Sequence, residues 1–293
     1  MYGVGFLIFY YPILSFVNEF WIERRGMAYG ILCASSGISG TVMPFAIEAM
    51  LNNYGYPTTL RAIAISLVIL TGPLLPLLKG RLPSSAHSTI GRTDWTSLKK
   101  PLFWVYCTSN ILHGLGYFFP SLYLPSYATS IGLSSIEGAL LLALLSISQV
   151  MGQLSFGYLS DHSLNLNVLI MISTMISAVA FLALWGMARS LAVLIVFAVV
   201  YGFFGAGYVA LWARMGNAVS SEPTSALATF SLFCFGKGVG NVVAGPLSAI
   251  LIKPLTDIES YGVMKYKSII IFMGSCMLGS TISIAAWYMR QKR

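Results

Sequence analysis

Apolar residues along this chain come in long blocks rather than in alternation. Nine blocks, near 3–21, 27–51, 60–79, 101–128, 135–160, 165–187, 190–214, 223–252 and 267–290, are each bounded by charge or by Pro, Gly and Asn clusters. A helix needs about 20 apolar residues to cross a hydrocarbon core of roughly 30 Å, and the blocks are of that order. A membrane strand would alternate apolar and polar residues over about 10 positions, which this chain does not do. The pattern predicts an all-α membrane protein, a polytopic helical bundle of about nine transmembrane helices. Links between blocks are short, so successive helices should run antiparallel. The exception is 80–100, which is polar, basic and rich in Ser. It predicts a cytoplasmic linker between a partial N-terminal bundle of three helices (1–79) and a C-terminal bundle of six (101–293).

Composition removes the soluble alternative. Only 9% of the 293 residues are charged and 57% are hydrophobic, whereas a soluble domain carries roughly 25% charge to wet its surface. A net charge of +8 would suggest nucleic acid in a soluble protein. In a lipid-embedded chain the same excess sets orientation, and no basic run interleaved with aromatics argues for a nucleic-acid partner. With the N-terminus outside, eleven of the seventeen Lys and Arg residues fall in cytoplasmic links and five in outer ones, Lys237 lying within a helix. The bias predicts N-terminus out and C-terminus in. Met1 opens into an apolar segment with no positive n-region, which argues against a cleaved leader. An outside terminus without one suggests missing upstream sequence. Cys33, Cys107, Cys234 and Cys276 are scattered in apolar stretches without a CxxC pair. They predict no disulfide, metal or other cofactor.

The fifth block ends Gly157-Tyr158-Leu159-Ser160-Asp161-His162. An acid at a helix exit can accept backbone N–H bonds and favour a neighbouring helix dipole. The Gly-x-Leu-x-Asp run resembles the loop signature of the major facilitator superfamily. That resemblance implies a cytoplasmic latch built on Asp161, although His162 and Ser163 replace the family's usual basic continuation. Three further stretches are similar to monocarboxylate-transporter-like members of that superfamily, particularly the fungal branch. Arg24-Arg25-Gly26-Met27-Ala28-Tyr29-Gly30 resembles the junction of helices four and five. Gly114-Leu115-Gly116-Tyr117-Phe118-Phe119-Pro120-Ser121-Leu122-Tyr123-Leu124-Pro125 resembles the seventh helix, and Phe235-Gly236-Lys237-Gly238-Val239-Gly240-Asn241 the eleventh. The resemblance implies helices four to twelve of twelve, the first three being absent.

Lys237 is the most informative single residue. A cation at mid-helix costs roughly 2.5–3.5 kcal/mol on insertion scales, so it faces a polar cavity or a partner. The functional reading is an anion site at the midplane; the alternative is a structural lysine that snorkels or binds carbonyls. Where the family carries an acid and an arginine one turn apart on helix eight, the matching positions look like Gln149 and Gln153. Amides hydrogen-bond substrate but carry no proton, so either the proton carrier lies upstream or the protein is a facilitator. Asn110, His113 and Tyr117 are the further candidates for lining the site, while Asp161, Arg24, Arg25 and Arg214 are candidates for the cytoplasmic gate. Intramembrane catalysis would need clustered reactive groups; His87, His113 and His162 are far apart, so an enzyme is not expected. Two readings stay open. One is a secondary transporter moving small organic anions, monocarboxylate-like solutes, by alternating access. The other is a truncated remnant or scaffold, or an incomplete gene model, of such a transporter, with faces left for an accessory chain.

Overall fold

The computed structural model of the protein describes residues 13, 20, 21, 24–77, 95–162, 165–220, 222–252 and 263–292. Every long element among them is helical. The expected segment 3–21 and most of the linker 80–100 fall outside the described residues.

Helix α1 (Arg25–Thr71) holds two of the expected segments, separated at Gly55 by φ 74° and ψ 170°. That region is essentially closed to residues with a Cβ, so a glycine is what lets the chain break there. A short 3-10 turn, Gly72–Leu77, follows at the two prolines. The expected segment 101–128 appears as α2 (Pro101–Tyr117) and α3 (Phe119–Ser130), divided at Phe118. Pro120 explains the division, because it removes a backbone donor from the helical ladder just after Phe118.

Helix α4 (Ser135–Asp161) starts on a reciprocal cap in which the Ser134 side chain accepts from the Glu137 amide and Glu137 accepts from the Ser134 amide. Helix α5 (Leu166–Val179) continues into a π-helical turn, Ala180–Trp185. Then come α6 (Leu191–Ala210), α7 (Trp212–Val219), α8 (Pro223–Leu251) and α9 (Met264–Lys292). Pro223 opens α8 where its missing N–H costs nothing.

Six helical stretches among the described residues are long and apolar enough to cross a membrane: Asn53–Pro76, Ser135–Asp161, Leu166–Trp185, Leu191–Val219, Ala228–Leu251 and Lys265–Gln291. The expected nine are not reached on this measure. Segment 27–51 is helical within α1, and 101–128 is interrupted at Phe118.

The first arm of α1 packs on α4, α4 on α6, and α2 between α8 and α9, while α9 closes on α5. Contact between α2 and α8 is backbone to backbone. A Cβ built on Gly114 would lie 2.8 Å from the Lys237 carbonyl oxygen, and one on Gly240 2.8 Å from that of Ile111. Small residues permit this approach where no solvent drives helices together. Two aromatic clusters fill the interior. One is built around Phe119, Tyr127, Trp185, Phe197 and Tyr201; the other around Tyr29, Phe103, Tyr106, Tyr208, Trp212 and Phe233. A buried polar link joins α2, α6 and α9, with the Ser109 hydroxyl 2.9 Å from that of Tyr208 and 2.6 Å from that of Ser280.

Candidate functional site

The Gly114–Lys237 crossing fixes where the Lys237 side chain can go. It points into the bundle rather than at lipid and is 7% exposed. Its Nζ stands 3.7 Å from the centroid of the Tyr117 ring on α2 and 4.5 Å from that of Trp212 on α7. Both rings offer their electron-rich faces, and a desolvated cation–π contact is worth about 2 kcal/mol or more. Among the described residues Lys237 has neither a carboxylate partner nor a hydrogen-bond acceptor. The thiols of Cys33 on α1 and Cys234 on α8 are close enough to interact with it electrostatically. Trp212 adds a buried indole N–H that also lacks an acceptor. The ammonium and the indole are thus two neighbouring donors with nothing to donate to, a set that suits an anion.

His113 and Asn110 occupy the turns of α2 before Tyr117. The His113 ring is fully buried and stacks on Tyr208 with centroids 4.0 Å apart. Its Nε2 lies 3.2 Å from the Gly205 carbonyl oxygen. In the neutral ring that bond places the proton on Nε2 and leaves Nδ1 an acceptor, and Nδ1 has no partner. His113 lies within electrostatic reach of Lys237. Asn110 donates through Nδ2 to the Tyr106 carbonyl at 2.9 Å, and its Oδ1 is buried without a partner. The structure therefore gathers Tyr117, His113 and Lys237, with Asn110 one turn away from His113.

Gln149 and Gln153 belong to another seam. Both ride on α4, and the Gln153 carbonyl abuts Gly30 of α1, where an added Cβ would sit 2.7 Å from it. Gln153 is buried with its side-chain oxygen unpartnered. Among the described residues neither glutamine forms a hydrogen bond with Lys237.

At the other end of that seam, Asp161 closes the start of α1. Its Oδ1 accepts from the Gly26 amide at 2.9 Å and its Oδ2 from the Met27 amide at 2.8 Å. These amides are among the first four of the helix and have no acceptor within it, and Arg24 supplies no side-chain cap. Arg24 is exposed and Arg214 half-buried. Among the described residues neither forms an ion pair with Asp161; the Arg25 side chain lies outside what the structure describes. The acid is thus held by a helix terminus, and the absent basic continuation after it is not needed for that.

Three residues of this region carry no candidate role in the sequence reading: Tyr29, Phe230 and Trp212. Their rings form a chain, Tyr29 to Phe230 at 5.4 Å and Phe230 to Trp212 at 6.3 Å. In the sequence they read only as aromatics among many, with Trp212 marking a segment end.

Comparison with known proteins agrees with this architecture. Residues 1–182 and 109–293 both match the family described as Major Facilitator Superfamily. An MFS transporter of Aspergillus flavus, asaE, is 27% identical over 96% of this chain and 62% of its own length. The agnestins efflux protein AgnL12 of Paecilomyces divaricatus is 25% identical over 97% of this chain and 63% of its own. Monocarboxylate transporter 12-B of Danio rerio is 25% identical over 71% of this chain and 51% of its own. The chain thus spans less than two thirds of the length of these relatives. With six apolar helices of spanning length among the described residues, it is an integral multi-pass membrane protein, and it belongs to the Major Facilitator Superfamily.

Proposed function

We propose that the protein carries small organic anions across a membrane by alternating access, with the Lys237 ammonium holding the carboxylate. The observation that carries this reading is a buried cation, flanked by a second unpartnered donor, that has no carboxylate of its own. A fixed ammonium among low-dielectric helices attracts a substrate anion strongly. The ring faces of Tyr117 and Trp212 keep it in place between cycles. Asn110 and His113 offer acceptors for a donor group on the same solute. The Asp161 contact with α1 serves as the latch of one end, which the charge bias assigns to the cytoplasm, with residues 1–79 and 101–293 as the two moving bodies. Relatives bearing the names of efflux proteins and of a monocarboxylate transporter support solute movement.

The test is uptake of radiolabelled acetate, lactate and benzoate by cells expressing the full chain, against Lys237→Arg and Lys237→Ala. Arg should retain uptake of the transported acid, and Ala should lose it by about tenfold or more, as expected for removing one buried charge contact. Equal uptake by the two variants removes Lys237 from the mechanism.

A further inference from the structure

We infer that Trp212 couples the Lys237 site to the closed end of the bundle seam, acting as a positioning residue through the rings of Phe230 and Tyr29. This rests on the reading of Lys237 as the anion site and extends it to how an occupied site could open.

The start of α1, the end of α4, the end of α7 and the start of α8 lie together. Asp161 caps α1 at Gly26 and Met27, and Tyr29 follows within a turn and touches Phe230 near the start of α8. Phe230 precedes Lys237 by two helical turns, so at 1.5 Å per residue its backbone lies about 10 Å nearer that end than the backbone of Lys237. Tyr29, Phe230 and Trp212 are 2%, 5% and 8% exposed, which makes them a plug rather than a rim. The plug crosses the seam. Tyr29 belongs to α1, whereas Phe230 and Trp212 belong to α8 and α7. The Tyr29–Phe230 contact is edge-on, with an interplanar angle of 65°. It must part if the two bodies rock apart.

Trp212 is the member that touches both regions. Its ring face carries Nζ of Lys237 at 4.5 Å, and its ring packs on Phe230 at 6.3 Å. A carboxylate arriving at Lys237 competes for the charge that holds the indole, because ammonium turned toward an anion lies less over a ring face. The indole then loses its anchor, Phe230 loses its backing, and the contact with Tyr29 weakens. Among the described residues Tyr117, the other ring at Lys237, makes no ring contact with Phe230, so Trp212 is the ring that links the ammonium to the plug. A ligand shifts such an equilibrium by as much as its affinity differs between the two states, and the ammonium–indole contact supplies that difference.

Cys33 gives a readout that needs no transport. It lies one turn beyond Tyr29 on α1, half-buried and within electrostatic reach of Lys237. The experiment is peptide-resolved labelling of the full-length protein by N-ethylmaleimide, with buried Cys276 as the internal measure of folding. Trp212→Ala and Lys237→Met should each raise Cys33 labelling by about tenfold, the scale of one desolvated cation–π contact. Trp212→Phe and Lys237→Arg, which keep a ring face and a cation, should stay near the native rate. Unchanged Cys33 labelling in both Trp212→Ala and Lys237→Met overturns the coupling, as does a rise matched at Cys276 in both. Should Trp212→Ala fail to fold, Trp212→Leu, which also removes the ring face and leaves the charge beside Cys33 in place, decides instead. Benzoate added to the native protein separates the two readings. If the variants respond but benzoate leaves Cys33 unchanged, the coupling stands and the anion reading falls; if benzoate alone raises labelling, the coupling through Trp212 falls.

Discussion

Replacing Asp161 with alanine removes both acceptors at the start of α1. The carboxylate accepts two amide hydrogen bonds at 2.9 and 2.8 Å, both partly buried. A hydrogen bond to a charged group contributes about 1.5–3 kcal/mol, and an anion at a helix N-terminus adds about 0.3–1 kcal/mol. Water replaces part of this at a half-buried site, leaving a net loss of about 2–3 kcal/mol, or roughly 30- to 150-fold in the equilibrium that keeps this terminus docked. Asp161→Asn keeps an oxygen acceptor without the charge and should lose about half that free energy.

Hydrogen–deuterium exchange read on a peptide covering residues 20–32 reports this directly. The Gly26 and Met27 amides have Asp161 as their acceptor, so in Asp161→Ala they should exchange faster by about the factor above, with Asn between Ala and native. The rest of α4 should hold its protection. If exchange of these amides is the same in Asp161→Ala as in the native chain, the carboxylate does not hold the helix start and the latch is wrong.

Three further outcomes follow from the packing. Gly114→Val should overpack the α2–α8 crossing, where a Cβ would already lie 2.8 Å from the Lys237 carbonyl oxygen; a loss of about 1–3 kcal/mol should appear as a lower melting temperature in detergent. Ser109→Ala should cost about 1–2 kcal/mol, because it removes the buried hydroxyl that bridges Tyr208 and Ser280, and a melting curve unchanged from native would show that this polar link carries no stability. Gly55→Ala forces a Cβ into φ 74° and ψ 170°; an expected loss of about 1–3 kcal/mol should show in the same melting assay, and an unaltered curve would mean that the break does not depend on glycine.

How much of this could be read from the sequence depends on distance along the chain. Helices were legible because lipid leaves the backbone only helices or closed barrels and the blocks do not alternate, so block length locates α4, α6 and α9. The division at Gly55 is legible in Asn52-Asn53-Tyr54-Gly55-Tyr56-Pro57, a local cluster of turn formers. The division at Phe118 is harder, because Pro120 sits where a helix can tolerate it as well as where one ends. Asp161 was legible as an acid at a helix exit, while its partners, the amides of Gly26 and Met27, belong to a distant stretch with no side-chain signature. The glutamine pair shows the opposite. Gln149 and Gln153 share a helix face by spacing, yet spacing does not say which neighbour that face meets, and Gln153 meets α1 at Gly30.

Lys237 draws these limits together. Its cost in the membrane marks it from sequence alone, but a cation can be stabilised by a carboxylate or by ring faces, and the two have opposite consequences. A carboxylate in contact at low effective dielectric would bind the ammonium far more tightly than a ring does, and a substrate anion would then have to displace a partner as good as itself. Ring faces contribute about 2 kcal/mol, enough to position the charge and little enough to yield it. The Tyr117 and Trp212 faces at 3.7 and 4.5 Å are therefore the arrangement that leaves this cation available. Because Trp212 also packs on Phe230, yielding the charge has a mechanical consequence that a carboxylate partner, pairing with Lys237 alone, would not transmit.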